Sequence, residues 1–184
     1  MTSTAPPEIR TPRLTLRLPR VEDFDRYAEL MGDEAACRWI GGHQPRAGAW
    51  RRFLQMPGAW ALQGFAMFSV IETASGRWIG QAGPWQPDGW PGTEVGYAFH
   101  PDAWGQGFAR EAVGAAVDWA FATLGWDQVI HCIEPANLGS KGVARAVGSR
   151  YLREGRLPAP ADVTLEIWGQ SRGDWRARRG DAPD

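Results

Sequence analysis

The loop at residues 104–109, which reads WGQGFA, constrains the fold more than any other part of the sequence, because it joins a strand-like run to a helix rich in apolar residues. Gly105 and Gly107 lack a Cβ atom, so the backbone can turn tightly there and approach a ligand closely. The amides from Gly105 to Ala109 can then point outward, and a helix N-terminus carries roughly half a positive charge. The loop therefore predicts an anion site suited to the pyrophosphate of a nucleotide-type cofactor.

Two familiar glycine motifs do not fit this spacing. A dinucleotide-binding turn has the pattern G-x-G-x-x-G or A, but Arg110 occupies the position of its third small residue. A P-loop has the pattern G-x-x-x-x-G-K-[ST], and the nearest candidate, GSKG at residues 139–142, lacks the leading glycine and the order. The pattern that remains is G-x-G-x-A directly after a strand.

With that loop and three other motifs in the same order, the chain resembles the GNAT superfamily of acyl-CoA N-acyltransferases, and within it the ribosomal-protein N-acetyltransferase branch. The resemblance covers nearly the whole chain and rests on four groups of residues: TPRLTLR at 11–17, EVGY at 94–97, the loop at 104–109 with Glu111 and Ala112, and Asn137 followed by Ser140.

Three positions depart from the superfamily pattern. Trp104 stands where glutamine or arginine is usual, and Arg110 stands where similar proteins carry a small hydroxyl residue. Residues 146–151 read AVGSRY in place of the usual Lys-Leu-Gly-Phe ending. The first two departures bear on side-chain contacts to the cofactor phosphates, and we expect the loop geometry to survive both.

Length and composition indicate one domain without a general attraction to polyanions. The chain has 184 residues, of which 43% are hydrophobic, so we expect a single domain over residues 1–184, with a core at about 9–169 and a flexible tail at 170–184. A net charge of −1 and a pI near 6.3 argue against binding to nucleic acid or to a membrane surface.

Cysteine and histidine usage predicts neither a disulfide framework nor a metal site. Cys37 and Cys132 lie far apart without a C-x-x-C pattern, and His43 and His131 lack ligand-like spacing. Residues 1–10 contain prolines and no apolar run, and no later stretch approaches the roughly 18 apolar residues that span a bilayer. We therefore expect a cytoplasmic protein.

Hydrophobic periodicity predicts alternating strands and helices. Leucines at every second position of 14–18 predict a first strand at a sheet edge. The remaining predicted elements are helices at 21–31 and 47–56, the second ended by Pro57-Gly58, strands at 65–71, 77–83 and 93–99, a helix at 108–124 capped by Gly125, a strand at 129–133, a helix at 138–147 and a closing strand at 163–168.

The resemblance implies a mixed, mostly antiparallel sheet of about six to seven strands flanked by about four helices, an α+β fold. It also implies that acetyl-CoA lies in a gap where the fourth and fifth predicted strands splay apart. By similarity, the cofactor contacts come from the strand end, the glycine loop and the start of the following helix: Phe99, His100, Trp104, Gly105, Gln106, Gly107, Phe108, Ala109, Asn137 and Ser140.

Acetyl transfer from a thioester to an amine needs a base and a proton donor for the thiolate. Superfamily members often use a glutamate on the strand before the loop, which makes Glu94 the candidate base; alternatively it is a solvated strand end. Ser140 is the candidate acid, because a tyrosine is missing nearby, or it caps the following helix. Asn137 contacts the pantetheine or merely terminates its strand, and Glu111 is best explained as a favourable charge in the first turn of its helix.

The acceptor is predicted to be a primary amine on a small molecule or a peptide, and a homodimer is one assembly that the resemblance allows. Substrate-side candidates are Trp39, His43, Trp50, Phe53, Trp85 and Trp90, although each tryptophan or phenylalanine could serve packing alone. An alternative function is a non-catalytic acyl-CoA sensor, and a weaker one is arginine-based nucleic-acid binding, which the balanced charge disfavours.

Overall fold

One eight-stranded sheet runs through the part of the chain that the computed structural model describes, residues 6–180. The spatial order is β1-β2-β3-β4-β5-β6-β8-β7, in which only the β5–β6 neighbours run parallel. The strands are β1 Glu8–Arg10, β2 Leu14–Arg17, β3 Phe68–Glu72, β4 Trp78–Trp85, β5 Glu94–Phe99, β6 Gln128–Ile133, β7 Arg150–Arg156 and β8 Thr164–Ser171. The mixed, mostly antiparallel sheet is confirmed; it has eight strands where about six to seven were predicted, and β1 and β7 are the strands that were missed.

Helices cover both faces of this sheet. Within residues 6–180 they are α1 Phe24–Gly32, α2 Glu34–Cys37, α3 Arg46–Phe53, α4 Gln55–Gln63, α5 Phe108–Thr123, α6 Leu138–Ala146 and α7 Arg172–Arg179. None of the helices in this range has the length and apolarity needed to cross a bilayer.

The long helix α5 packs on one sheet face and α1 packs on the other. Phe108 and Ala112 of α5 join Leu14, Phe68 and Ile79 in one buried cluster. On the opposite face, aromatic residues of α1 and α3 pack against neighbouring positions of β4 and β5: Phe24, Tyr27, Phe53, Trp78 and Ala98. Because successive strand residues point to opposite faces, β4 supplies Trp78 to one cluster and Ile79 to the other.

Three local predictions were wrong. The strand at 14–17 is not an edge strand, because β1 pairs with it antiparallel and covers its outer side. The predicted helix at 47–56 is two helices, and the second continues through Pro57 and ends at Gln63, with Gly64 at φ 78° as its C-cap. Pro57 lies in the first turn of α4, where backbone amides have no partner within the helix, so its missing N–H costs little there.

The C-terminal segment is also more ordered than predicted. Residues up to Ser171 belong to β8, and α7 follows with a capping box in which Ser171 and Asp174 bond each other's backbone amides. Trp175 is only 7% exposed, its ring lies 6.5 Å from Phe121 of α5, and its Nε1 donates to Asp118 Oδ1 at 2.7 Å. One aromatic anchor therefore holds a segment that otherwise alternates arginine and aspartate. Residues 181–184 of the predicted tail lie outside the described residues.

We predict that Trp175→Ala destabilises the protein by about 3–5 kcal/mol, because it removes a buried indole from the surface of α5. Urea denaturation followed by circular dichroism measures the change. Trp175→Phe is the matched control: it keeps the ring contact and loses only the bond to Asp118, so its loss is smaller. Equal stability of all three proteins would show that this segment does not dock on α5.

Candidate active site

The site is built where pairing between β5 and β6 stops. Their ladder contains one residue pair, Glu94 with Ile130, and one further bond from the Ile130 amide to the Thr93 carbonyl at 2.9 Å. Beyond this point the two parallel strands diverge. The predicted splay between the fourth and fifth strands of the sequence analysis is thus present between β5 and β6.

The backbone of β5 beyond Glu94 turns some groups toward this gap, and those of Tyr97 bond no other group within residues 6–180. His100 donates its amide to Ile79 of β4 at 2.9 Å, and strand amides alternate in direction, so Tyr97 and Phe99 face the β6 side. The His100 amide is therefore committed to the sheet and does not face the gap, so any cofactor contact by the backbone of this strand end would come from Phe99 and not from the His100 amide. Its imidazole points away from the gap, with Nδ1 2.9 Å from Asp102 Oδ1 and Nε2 3.4 Å from Glu29 Oε2.

His131 of β6 bridges the point of divergence. Its ring Nδ1 lies 2.7 Å from the Val95 carbonyl oxygen, and its Nε2 lies 3.0 Å from Ser149 Oγ. A carbonyl only accepts, so Nδ1 carries the proton. Burial lowers the pKa of His131, which keeps the ring neutral. His131 therefore has a structural role between the strands, which is the usual role of a histidine without ligand-like neighbours in the sequence.

Glu94 occupies the opening of the gap and is buried. Its Oε1 accepts the Cys132 backbone amide at 2.9 Å, and its Oε2 accepts Trp90 Nε1 at 2.5 Å. The Cys132 amide is a group that continued strand pairing would have satisfied, so the carboxylate stands in for the missing backbone acceptor. The alternative of a solvated strand end does not apply, because Glu94 is only 7% exposed.

Burial is also what sets the protonation of Glu94. It raises the pKa of the carboxyl to about 7, against the opposing effects of the bonds from Cys132 and Trp90. The neighbouring Cys132 thiol has its pKa raised by burial and by the Glu94 charge, so it stays protonated and is a poor nucleophile. A carboxyl that titrates near neutral pH is suited to general base catalysis.

Ser140 and Asn137 lie at the start of α6 on the other side of the gap. The Asn137 Oδ1 accepts the Ser140 amide at 3.0 Å and thereby caps the helix. Ser140 is not the cap, and its Oγ accepts the Tyr97 hydroxyl at 3.0 Å. Tyr97 was not among the predicted catalytic residues, although it stands in the EVGY motif. The sequence analysis found no tyrosine near Ser140, but the fold brings Tyr97 next to it. Burial raises the pKa of Tyr97.

The glycine loop lies on the surface after β5. Gly105 has φ 72° and Gly107 has φ 79°, in the left-handed region that favours glycine, and Gly107 caps the N-terminus of α5. Within residues 6–180, no protein acceptor bonds the backbone amides of 105–110. This row of amides at a helix N-terminus is the arrangement that the sequence predicted for an anion.

Arg13 fastens this loop to the start of β2. Its Nη1 donates to the Gln106 carbonyl at 2.9 Å, its Nε donates to Glu111 Oε2 at 2.7 Å, and its guanidinium lies 4.5 Å from the centre of the Phe108 ring. Glu111 also accepts from Thr11 Oγ1 at 2.7 Å. The N-terminal motif of the sequence analysis thus has a positioning role that spacing alone did not reveal.

Two side chains of the loop that were predicted to contact the cofactor, those of Trp104 and Gln106, already make hydrogen bonds within the protein. Trp104 is 49% exposed and donates its Nε1 to the Phe99 carbonyl at 2.8 Å. Gln106 donates its side-chain amide to the Asp102 carbonyl at 2.9 Å. These bonds fix the loop, and they leave its backbone amides as the groups presented to solvent.

A cavity of about 320 Å³ opens beside the gap. It brings together Glu94, Tyr97, Asn137 and Ser140, whereas the glycine loop lies outside it. Of the substrate-side candidates, Trp39, Trp85 and Trp90 line this cavity.

The remaining substrate-side candidates lie outside the cavity. Trp50 and Phe53 pack with Phe24 on the helical face, at ring distances of 4.7 and 5.6 Å, and His43 is exposed. In the part of the chain described, no three acidic, histidine or cysteine side chains are arranged to hold a metal ion.

Comparison with known proteins identifies the family. The sequence profile of the acetyltransferase (GNAT) domain matches residues 13–150. An uncharacterized N-acetyltransferase p20 from Bacillus licheniformis is 32% identical over 150 residues, which cover 80% of this chain and 83% of the relative.

Solved structures share the fold over nearly the full length. An acetyltransferase from Agrobacterium tumefaciens is 27% identical with a TM-score of 0.79, covering 94% of this chain and 98% of the other. Two more are 20% identical: a ribosomal-protein-S5-alanine acetyltransferase from Vibrio fischeri, with a TM-score of 0.68 and coverage of 91% and 98%, and AAC(6')-Ib in complex with ribostamycin and coenzyme A, with a TM-score of 0.75 and coverage of 92% and 99%. The chain belongs to the GNAT family of N-acetyltransferases.

Proposed function

We propose that this protein transfers an acetyl group from acetyl-CoA to a primary amine by direct attack of the amine on the thioester. The observation that carries the proposal is a buried carboxyl, Glu94, whose pKa lies near 7 and which lines the same cavity as Ser140 and Tyr97. A neutral amine and a proton donor are the two requirements of this reaction, and the cavity has a candidate for each.

The residues present fit coenzyme A at two places. The unpaired amides of the glycine loop suit its pyrophosphate, and the β6-facing backbone of Tyr97 suits the amides of its pantetheine arm, which would extend the sheet in place of β6. Coenzyme A supplies the acetyl group as an activated thioester. The complex of AAC(6')-Ib with coenzyme A supports this assignment through the shared fold.

The side chains of the gap divide the proton transfers between them. Glu94 takes the amine proton, directly or through one water, as the nitrogen bonds to the acetyl carbon and the carbon–sulfur bond breaks. Ser140 donates a proton to the departing sulfur, and Tyr97, which donates its hydroxyl hydrogen to Ser140 Oγ, replenishes it. After the products leave, solvent water takes the proton from Glu94 and returns one to Tyr97. No covalent acyl-enzyme is needed, which agrees with the protonated, buried state of Cys132.

We predict that the protein releases free thiol from acetyl-CoA when a suitable amine is present, and that Glu94→Gln lowers kcat by about 100-fold or more. In the wild type, kcat/KM rises with pH through about 7, where Glu94 loses its proton, and the variant lacks this rise. Thiol release followed by absorbance measures both. A non-catalytic acyl-CoA sensor would bind coenzyme A in calorimetry yet show no turnover and no effect of the substitution.

We predict that Trp90→Phe moves the midpoint of this pH profile upward by about one unit. The Trp90 N–H stabilises the charged form of Glu94, so its loss raises the pKa of the carboxyl. Trp85→Phe is the matched control, because Trp85 lines the same cavity and pairs with Glu94 only through the backbone of the sheet; its midpoint stays in place. Coincident midpoints for the two variants would exclude Glu94 as the titrating group.

We predict that Arg13→Lys weakens coenzyme A binding about tenfold in calorimetry. Lysine keeps the positive charge and cannot bond the Gln106 carbonyl and Glu111 together as arginine does, so the glycine loop loses its support. Arg10→Lys, at an exposed pair with Glu8, is the control and binds as the wild type does. Unchanged affinity in Arg13→Lys would separate the loop from cofactor binding.

A further inference from the structure

Arg52, near the end of α3, contributes a positive charge to the cavity wall. Its guanidinium lies against Gly41, where a Cβ atom added to that glycine would be only 2.6 Å from Nη1. Arg52 is half-buried, and within residues 6–180 no carboxylate, carbonyl or aromatic ring partners its guanidinium. Three other half-buried arginines of the described residues have carboxylate partners: Arg17 pairs with Asp23, Arg26 with Asp102 and Arg172 with Asp127.

A half-buried guanidinium without a partner loses hydration and gains no ion pair in return. The charge of Arg52 acts on Tyr27, which lines the same cavity. Burial raises the pKa of Tyr27, and the positive charge of Arg52 opposes that rise. An arginine presents planar paired donors that match a carboxylate. The arrangement is one that an incoming anion would complete.

Charges around the cavity come from two different walls. Arg52 comes from α3, whereas the carboxylates of Glu94 and Glu134 come from β5 and from the segment after β6. Apolar side chains also contribute to the lining: Met56, Met67, Trp39, Trp85 and Trp90. A molecule with an amine, a carboxylate and an apolar body matches this set of lining residues.

We propose that Arg52 binds a carboxylate of the acceptor, so that the substrate class is a primary amine that also carries a carboxylate, such as an α-amino acid with an apolar side chain. This inference rests on the proposed function and specifies its acceptor. The acceptor carboxylate pairs with Arg52, and its amine turns toward Glu94, which takes the proton. Polyamines and aminoglycosides, which carry several positive charges and no carboxylate, would place a cation near Arg52 and are disfavoured.

The test uses matched pairs of acceptors with acetyl-CoA: phenylalanine, leucine and methionine, each beside its carboxamide. The two members of a pair share the amine and the apolar body and differ in the carboxylate. We expect kcat/KM to be about 10- to 100-fold higher for the acid than for the amide, the range of a hydrogen bond to a charged group. Kanamycin completes the panel as a polycationic acceptor.

Arg52→Gln is expected to bring each acid-to-amide ratio to within about twofold of one, mainly through KM of the acid. Arg51→Gln is the matched control, because Arg51 is the neighbouring arginine of α3, is exposed and lies outside the cavity lining; its ratios stay as in the wild type.

Two adjacent glycines give a second test that leaves Arg52 in place. Gly41 and Gly42 both have positive φ, 95° and 77°, but an added Cβ at Gly42 meets nothing within 4 Å. Both alanine variants strain the backbone, whereas only Gly41→Ala displaces the guanidinium. We expect the preference for acids to fall in Gly41→Ala and to persist in Gly42→Ala.

The outcomes separate this inference from the proposed function. Thiol release with carboxamides or kanamycin as fast as with the acids, or an unchanged ratio in Arg52→Gln, would overturn the role of Arg52 and leave acetyl transfer standing. Absence of thiol release with every amine would remove the proposed function and the inference together.

Discussion

Interrupted strand pairing between β5 and β6 is the constraint on which the site depends. Parallel strands that continued to pair would close the gap and leave no unpaired backbone for a ligand. Two side chains satisfy groups that the interruption exposes: Glu94 accepts the Cys132 amide, and the His131 ring bonds the Val95 carbonyl. Side-chain bonds to both strands hold the sheet open at this point. Glu94 makes one of these bonds, and its carboxyl group also has a pKa suited to a general base.

Three regions of the fold serve three parts of the proposed reaction. The N-terminus of α5 offers unpaired amides, and Arg13 ties that loop to β2. The β5–β6 gap holds Glu94, Tyr97 and Ser140, the groups proposed to transfer protons. The wall formed by α3 and the loops near it carries Arg52 and lines the cavity that we propose for the acceptor. Because these regions lie on different elements, a change of acceptor does not require a change in the cofactor loop.

Sequence patterns predicted the features that depend on residues close together in the chain. Glycine positions, alternating leucines and the apolar face of α5 fixed most elements and the loop, and the family motifs located Glu94 and Ser140. Contacts between distant segments were beyond such patterns. The partnership of Tyr97 with Ser140 and the position of Arg52 depend on tertiary packing. β7 was missed because RYLREGR has no regular apolar alternation, and α7 because its single anchor is Trp175.

The dual role of Glu94 bears on how such a protein can diverge. Replacing it with a residue that cannot accept a hydrogen bond would leave the Cys132 amide unsatisfied as well as remove the proposed base, so evolutionary drift at this position is restrained by the architecture even where the chemistry would tolerate it. Arg52 has no comparable structural role, because its guanidinium bonds no group within residues 6–180. New specificities are therefore more accessible through α3 than through the sheet, which is where a laboratory selection for altered acceptors would best place its diversity.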